Sequence, residues 1–438
     1  MTCENAPHVD PQAPVPVTGW RGWLIRAINA QPDEVAAVLW GCGLFFFLFT
    51  SYAILRPVRD AMGIAGGVRN LQWLFSATFV VMLVAIPLHG WLNAHVPRAR
   101  FIDWVYGFFA LNMFAFAALL SLWPASPWVA RVFFVWLSVF NLFVVSVAWS
   151  LMADIFDTEQ AKRVFGFIAG GASIGGVTGP LFGAAMVSVL SVRGLLVVSA
   201  LLLGAAVYAK ARLLAWRAGR DTVQQAQSRR RPVAGNPFTG FSLVARSPYL
   251  LCLGAFVILL TTASTFLYFE QARLVASTFP TRNAQVRVFS IIDGVVQAVS
   301  LICQVFLVGR FARRFGVTGL LSAIPLLVGA GFLVLAIWPV FAVVAAVMGI
   351  RRVGEYAFIR PGREILFTGV AEDVRYRAKS FLDTVVYRGG DALSGWASAT
   401  LISFTQSLTA VSLVGAVLAF AWAALGYALG RRPIARTE

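Results

Sequence analysis

The run 51–63, SYAILRPVRDAMG, puts Arg56, Arg59 and Asp60 at the end of an apolar stretch that looks built to cross a bilayer. With Tyr52 they are spaced i, i+4, i+7 and i+8, so on a helix they share one face. Arg56 and Asp60, four residues apart, are placed to pair. One charge at the bilayer centre costs about 2.5–3.5 kcal/mol on insertion scales, so three are poorly tolerated against lipid. Either they line protein or water, or the helix stops before Arg56, where Pro57 suits a kink or a stop.

The pattern recurs. Ser290, Asp293, Gln297, Ser300 and Gln304 are spaced three, four, three, four, a polar seam along an otherwise apolar segment. Such a seam lines a cavity or a hydrogen-bonded helix contact, and the carboxylate favours the cavity. Arg351, Arg352, Glu355 and Arg360 fall in a later segment, with Arg351 and Glu355 at pairing distance along a helix. Thr384, Arg388, Asp391 and Gly395 share one face of the next, which also carries Asp383 and Tyr387; Glu270 ends another. Ionisable side chains within membrane segments are rare and point to function. Arginine suits an anion, because its planar fork matches phosphate or carboxylate and stays charged when buried. Tyr52, Arg56, Arg59, Gln297, Glu355, Arg360 and Arg388 are therefore the candidates for contacting a solute. Asp60, Glu270, Asp293 and Asp391 are the candidates for balancing charge or taking up a coupling proton.

These residues need a membrane scaffold, and the composition supplies one. Of 438 residues 59% are hydrophobic and only 13% charged, against about 45–50% and about 25% in soluble domains. Twelve apolar segments follow, at 35–62, 70–92, 101–122, 127–152, 164–188, 191–214, 248–270, 286–308, 317–338, 340–360, 380–403 and 407–429. Each is near the roughly twenty residues a spanning helix needs. The class is an all-α membrane protein of about twelve transmembrane helices in two six-helix halves. The net charge of +17 reads as arginine anchors on one side of the membrane, since no nucleic-acid-binding motif accompanies it. With both termini cytoplasmic, Arg98, Arg100, Lys162, Arg163, Arg217 and the RRR at 229–231 fall inside, as do Arg310, Arg313, Arg314, Arg375, Arg377 and Arg431.

The division expected is a tail at 1–34, a six-helix bundle at 35–214, a cytoplasmic linker at 215–247, a second bundle at 248–430 and a tail at 431–438. In the first tail Trp20, Trp23, Leu24 and Ala27 share a face, which suggests a short helix on the membrane surface. An offset of 216 residues pairs Tyr52 with Tyr268, Arg98 with Arg314, Arg163 with Lys379, Phe165 with Phe381 and Gly179 with Gly395. Parallel six-helix repeats about a central path are the architecture of major-facilitator-type carriers. The run FGFIAGGASIGGVTGP contains GxxxG pairs at 166/170, 171/175 and 175/179, which permit close helix contact, static or sliding. It is not a phosphate loop, because it lacks the GK[ST] ending. With no Walker motif, no soluble domain and no HExxH, neither an ATP-driven pump nor an enzyme has support. Cysteines and histidines show no ligand spacing, and neither metal nor cofactor is expected.

YAILRPVRDAMG, DTEQAKRVFGFIAGGASIGGVTGP and REILFTGVAEDVRYRAKSFLDTVVYRGGD together resemble the ATP/ADP antiporter family, nucleotide exchangers distantly related to major facilitators. The resemblance implies exchange of nucleotides or another phosphorylated anion. It would give phosphates to Arg56, Arg59 and Arg388 and balancing roles to Glu270 and Glu355. The sequence departs from that family in offering arginines where lysines are prominent there, with Lys379 expected near a cytoplasmic loop. The expectation is a secondary carrier of a small anionic solute in a bacterial inner membrane, working by alternating access as an exchanger or ion-coupled. The lipid bilayer is its other partner, nucleic acid is not one, and nothing requires more than a monomer. The alternatives are a carrier of a siderophore, drug or anionic lipid, or a non-transporting sensor or assembly factor on the same fold.

Overall fold

A computed structural model describes residues 31–96, 98–219 and 240–431. The proposed surface helix around Trp20 to Ala27, the RRR of the linker and the final tail lie outside the described residues. Helix α1 is Val35–Ala65, α2 Leu71–His95, α3 Arg98–Leu122 and α4 Pro127–Ile155. The helical run Thr158–Ala218 is broken at Ser191 (φ 55°, ψ 178°), giving α5 before the break and α6 after it. Helix α7 is Pro248–Thr278, preceded by the short helix Gly240–Arg246. Helix α8 begins as Arg282–Ile302, passes through a π turn at Cys303–Leu307 and ends at Gly316 (φ 62°), after which α9 runs to Ile337. Helix α10 joins Phe341–Gly354 and Arg360–Phe367 through a π turn at Glu355–Ile359. Helix α11 joins Glu372–Phe381 and Tyr387–Thr405 through a third, Leu382–Val386, and α12 is Leu408–Arg431.

Local chemistry explains several starts. Asp157 and Gln160 form a capping box ahead of α5. Pro127 and Pro248 occupy first turns, where a missing N–H costs nothing. Several helices outrun their apolar segments: α5 starts at 158 and α11 at 372, and α7 continues to 278. Hydropathy marks only the part of a helix within lipid, and the charged turns beyond it remain helical in water. Helix α1 does not stop before Arg56; it runs through Pro57 to Ala65. Among the described residues eight continuous helices are long and apolar enough to cross a membrane, and two of them, Glu159–Ala218 and Arg282–Ile337, are long enough to cross twice. Helices α10 and α11 are not among them. They are the helices most heavily charged.

One core cluster centres on α1, α3, α4, α5 and α6, and a second on α7, α9, α10 and α12. These are the interiors of the two halves. Since lipid is as apolar as leucine, close packing rather than water exclusion holds such helices together. The glycines of α5 show how. Gly171, Gly175 and Gly179 lie against the α1 backbone and side chains at Cys42, Phe46, Thr50 and Ala53; a Cβ at Gly175 would stand 2.6 Å from the Phe46 carbonyl oxygen. Gly176 and Gly183 face Gln297 and Ser290 of α8, in the other half. Gly166 and Gly170 face open space. One glycine face of α5 thus binds within a half and the other spans the interface between halves.

Candidate functional site

A cavity of about 820 Å³ lies between the halves, lined chiefly by α1, α7, α8, α10 and α11. Ten of the eleven sequence candidates line it: Tyr52, Arg56, Arg59, Asp60, Asp293, Gln297, Glu355, Arg360, Arg388 and Asp391. Glu270 does not. It is buried on α7 and accepts from Arg273 one turn later at 3.1 Å, away from the lining.

Continuity of α1 through Pro57 keeps its polar face in register, but the partners differ from those expected. Arg56 does not pair with Asp60. Its Nε lies 3.6 Å from Asp293 of α8, in the opposite half. Asp60 instead accepts a hydrogen bond of 3.0 Å from the Tyr268 hydroxyl of α7. The Arg59 guanidinium stacks 4.2 Å above the Phe134 ring. Along α8, Asp293, Gln297, Ser300 and Gln304 line the cavity, while Ser290 is buried against Gly183. The seam is therefore mostly cavity wall and at one end helix contact.

On α10 the pairing of Arg351 with Glu355 is present at 2.8 Å, and Arg360 approaches the same carboxylate at 3.6 Å. Arg352 donates to Asp293. On α11, Arg388 lies 3.7 Å from Asp391, which also accepts from Thr265 of α7 at 3.2 Å. Thr384 is not in the lining and Asp383 is, paired with Arg363. The π turn accounts for this, since one extra residue per turn rotates the face that ordinary helical spacing predicts. All three π turns put side chains into the cavity: Gln304, Tyr356 and Asp383. The first two are also linked, because Gln304 donates to the Tyr356 carbonyl oxygen at 3.1 Å.

Sequence reasoning did not single out Asn141, Tyr268, Tyr356, Arg363 or Lys379 for the lining. Asn141 had a signal, a lone amide in an apolar span, and Tyr268 had one as the repeat partner of Tyr52. Lys379, expected near a loop, lies in the last turn of Glu372–Phe381 and faces the cavity, 2.7 Å from Glu364.

The cavity reaches Glu364 and Lys379 at one end. At the other end the halves meet in a cluster of Leu71, Leu74, Phe134, Phe269 and Ala272. Trp396 donates to Ser76 there at 2.9 Å. Polar links across the halves, Arg56 to Asp293 and Asp60 to Tyr268, occupy the middle. Among the described residues no cluster of histidine, cysteine or carboxylate side chains is arranged to hold a metal ion.

The sequence profile of the Major Facilitator Superfamily matches residues 35–361. The chain belongs to the major facilitator superfamily. It is accordingly a multi-pass secondary transporter and not an enzyme. Solved major-facilitator-like structures agree on the fold. The nucleoside transporter NupG superposes with a TM-score of 0.64 at 13% identity, covering 91% of this chain and 100% of that one. A bacterial homologue of the iron transporter ferroportin, in an inward-facing state, gives 0.63 at 15%, covering 91% and 99%. An auto-inhibited POT family peptide transporter gives 0.62 at 16%, covering 92% and 98%. Cargo this varied at such low identity establishes the fold alone. Comparison with curated proteins gives no match. The narrower resemblance to ATP/ADP antiporters is carried by none of these matches.

Proposed function

We propose that this major facilitator carries a small anionic solute by alternating access, with the cavity between the halves as the site. The observation that carries the reading is the gathering of arginines from both halves in one cavity, with donors to spare. The Nε and Nη2 of Arg352 and the Nε of Arg351 are buried without an acceptor. A guanidinium has five donors and no acceptor, and leaving them unmet costs free energy that an oxyanion would recover. Tyr52, Arg56, Arg59, Gln297, Glu355, Arg360 and Arg388 then contact the solute, and Asp60, Asp293 and Asp391 balance charge. Glu270 takes no part.

The arginine-rich connections lie at the end where the cavity reaches Lys379. By the positive-inside bias that end is cytoplasmic, so the form described is open inward and both termini are cytoplasmic, in a bacterial inner membrane. The bundles at 35–214 and 248–430 rock about the site, and the cluster around Phe134 and Phe269 parts when the carrier turns outward. A nucleotide or another phosphorylated solute is the specific cargo this reading favours, by resemblance in the segments around Arg56 and Arg388.

The test is a thermal-shift screen of purified protein against nucleotides, phosphorylated metabolites, organic acids and neutral sugars or nucleosides, since a ligand of the folded form raises its melting point. Anions should stabilise and Arg388→Ala should abolish the shift. Stabilisation by neutral or cationic solutes alone would refute the reading.

A further inference from the structure

Resting on the reading of this cavity as an anion site, we infer that the solute it is built for carries two negative charges, held on one group or on two close together. The lining contains eight cations and six carboxylates, and their pairing locates the imbalance. Three carboxylates serve one cation each: Asp383 takes Arg363, Glu364 takes Lys379 and Asp391 takes Arg388. Arg59, stacked on Phe134, and Asp60, bonded to Tyr268, are not an ion pair of the kind above, but as adjacent lining residues of opposite sign they add no net charge. The other two carboxylates are each shared by two arginines. Asp293 lies between Arg352 and Arg56, and Glu355 between Arg351 and Arg360. Each of these triads keeps one positive charge uncompensated.

The triads are joined through the consecutive residues Arg351 and Arg352, so the two excess charges are neighbours in the middle of the cavity. The same two arginines hold three of the four unmet arginine donors of the lining, Arg59 Nε being the fourth, and both are deeply buried, at 5% and 6% exposure. A carrier must close around its solute, and closure removes the water that screens these charges. Uncompensated charge in a dry interior is strongly unfavourable. A divalent anion leaves the closed cavity neutral; a monoanion leaves it positive, and a tri- or tetra-anion leaves it negative. A phosphate monoester, with close to two charges at neutral pH and three acceptor oxygens, fits the adjacent excess. A short dicarboxylate shares its valence.

The experiment is a thermal-shift titration of the full chain in detergent, at fixed ionic strength, pH 7.5 and with EDTA. The probes are adenosine, AMP, ADP and ATP, together with glucuronate, glucose 6-phosphate and succinate. AMP and glucose 6-phosphate should bind at least about tenfold more tightly than glucuronate, the value of one charge-assisted hydrogen bond, and ADP and ATP no more tightly than AMP. Succinate binding as well as AMP would also support two charges and would assign them to separate groups. Arg56→Gln and Arg360→Gln each turn a triad into a one-to-one pair, so neither strands a buried charge. Each should reduce the preference for glucose 6-phosphate over glucuronate to less than about threefold. Affinity that climbs through ADP to ATP, equal binding of glucuronate and glucose 6-phosphate, or an unchanged preference in both variants would overturn the inference while leaving an anion carrier. If no anion raised the melting point, the anion reading itself would fall.

Discussion

Asp293→Asn is the sharpest perturbation of the site, because a single carboxylate there faces two arginines. Its side chain is 3% exposed and that of Arg352 is 7% exposed. Removing one member of a pair buried this deeply costs about 3–5 kcal/mol, since the other charge is stranded. Arg56 makes a different contribution. At 3.6 Å from Asp293 its gross attraction is about 5 kcal/mol at an effective dielectric of about 20. Its side chain is 24% exposed, so water screens it, and its net contribution falls to about 1 kcal/mol or less. The expected order is therefore a loss of about 3–5 kcal/mol for Asp293→Asn and below about 1 kcal/mol for Arg56→Gln. The double variant Asp293→Asn with Arg352→Gln should recover at least about 1 kcal/mol relative to the sum of the single changes, because the deeply buried charge is then removed with its partner and the remaining Arg56 is partly exposed to water. The assay is reversible unfolding by SDS titration from mixed micelles, read by circular dichroism and analysed as a double-mutant cycle. Asp293→Asn within about 1 kcal/mol of the unsubstituted protein, or strict additivity in the cycle, would show that the two side chains do not meet in the folded carrier.

Two further substitutions test the scaffold. A Cβ at Gly175 would meet the Phe46 carbonyl at 2.6 Å and Thr50 at 3.0 Å, so Gly175→Ala should destabilise by about 1–3 kcal/mol. Gly170→Ala, which meets nothing within 4 Å, should be neutral or stabilise by up to about 1 kcal/mol; equal effects at the two sites would contradict the packing of α5 on α1. Ser191 holds a φ of 55° where α5 passes into α6, and Ser191→Gly should raise the melting temperature by relieving about 1 kcal/mol of backbone strain. An unchanged or lower melting temperature would mean that the serine is not strained there.

The amino-acid sequence by itself determined that this chain lives in a bilayer, that it crosses about twelve times in two related halves, and which charges cannot face lipid. Those conclusions rest on local quantities: run length, helical periodicity and the cost of a charge in hydrocarbon. For the same reason the pairing of Arg351 with Glu355, one turn apart on one helix, was legible. What only the tertiary structure decided is which charges meet across helices. Asp60 and Arg56 lie one turn apart and look like partners, yet Tyr268 and Asp293, more than two hundred residues further along the chain, take them. Glu270 carries the same signal as Asp293 and ends outside the cavity, buried on the part of α7 that does not face it and paired with Arg273 of its own helix. Asp383 enters the cavity in place of Thr384 because a π turn shifts the face of α11. Periodicity assumes a constant number of residues per turn and knows nothing of a neighbouring helix. Ion pairing depends on distances of a few ångströms between segments remote in the chain, and only the packed bundle sets those.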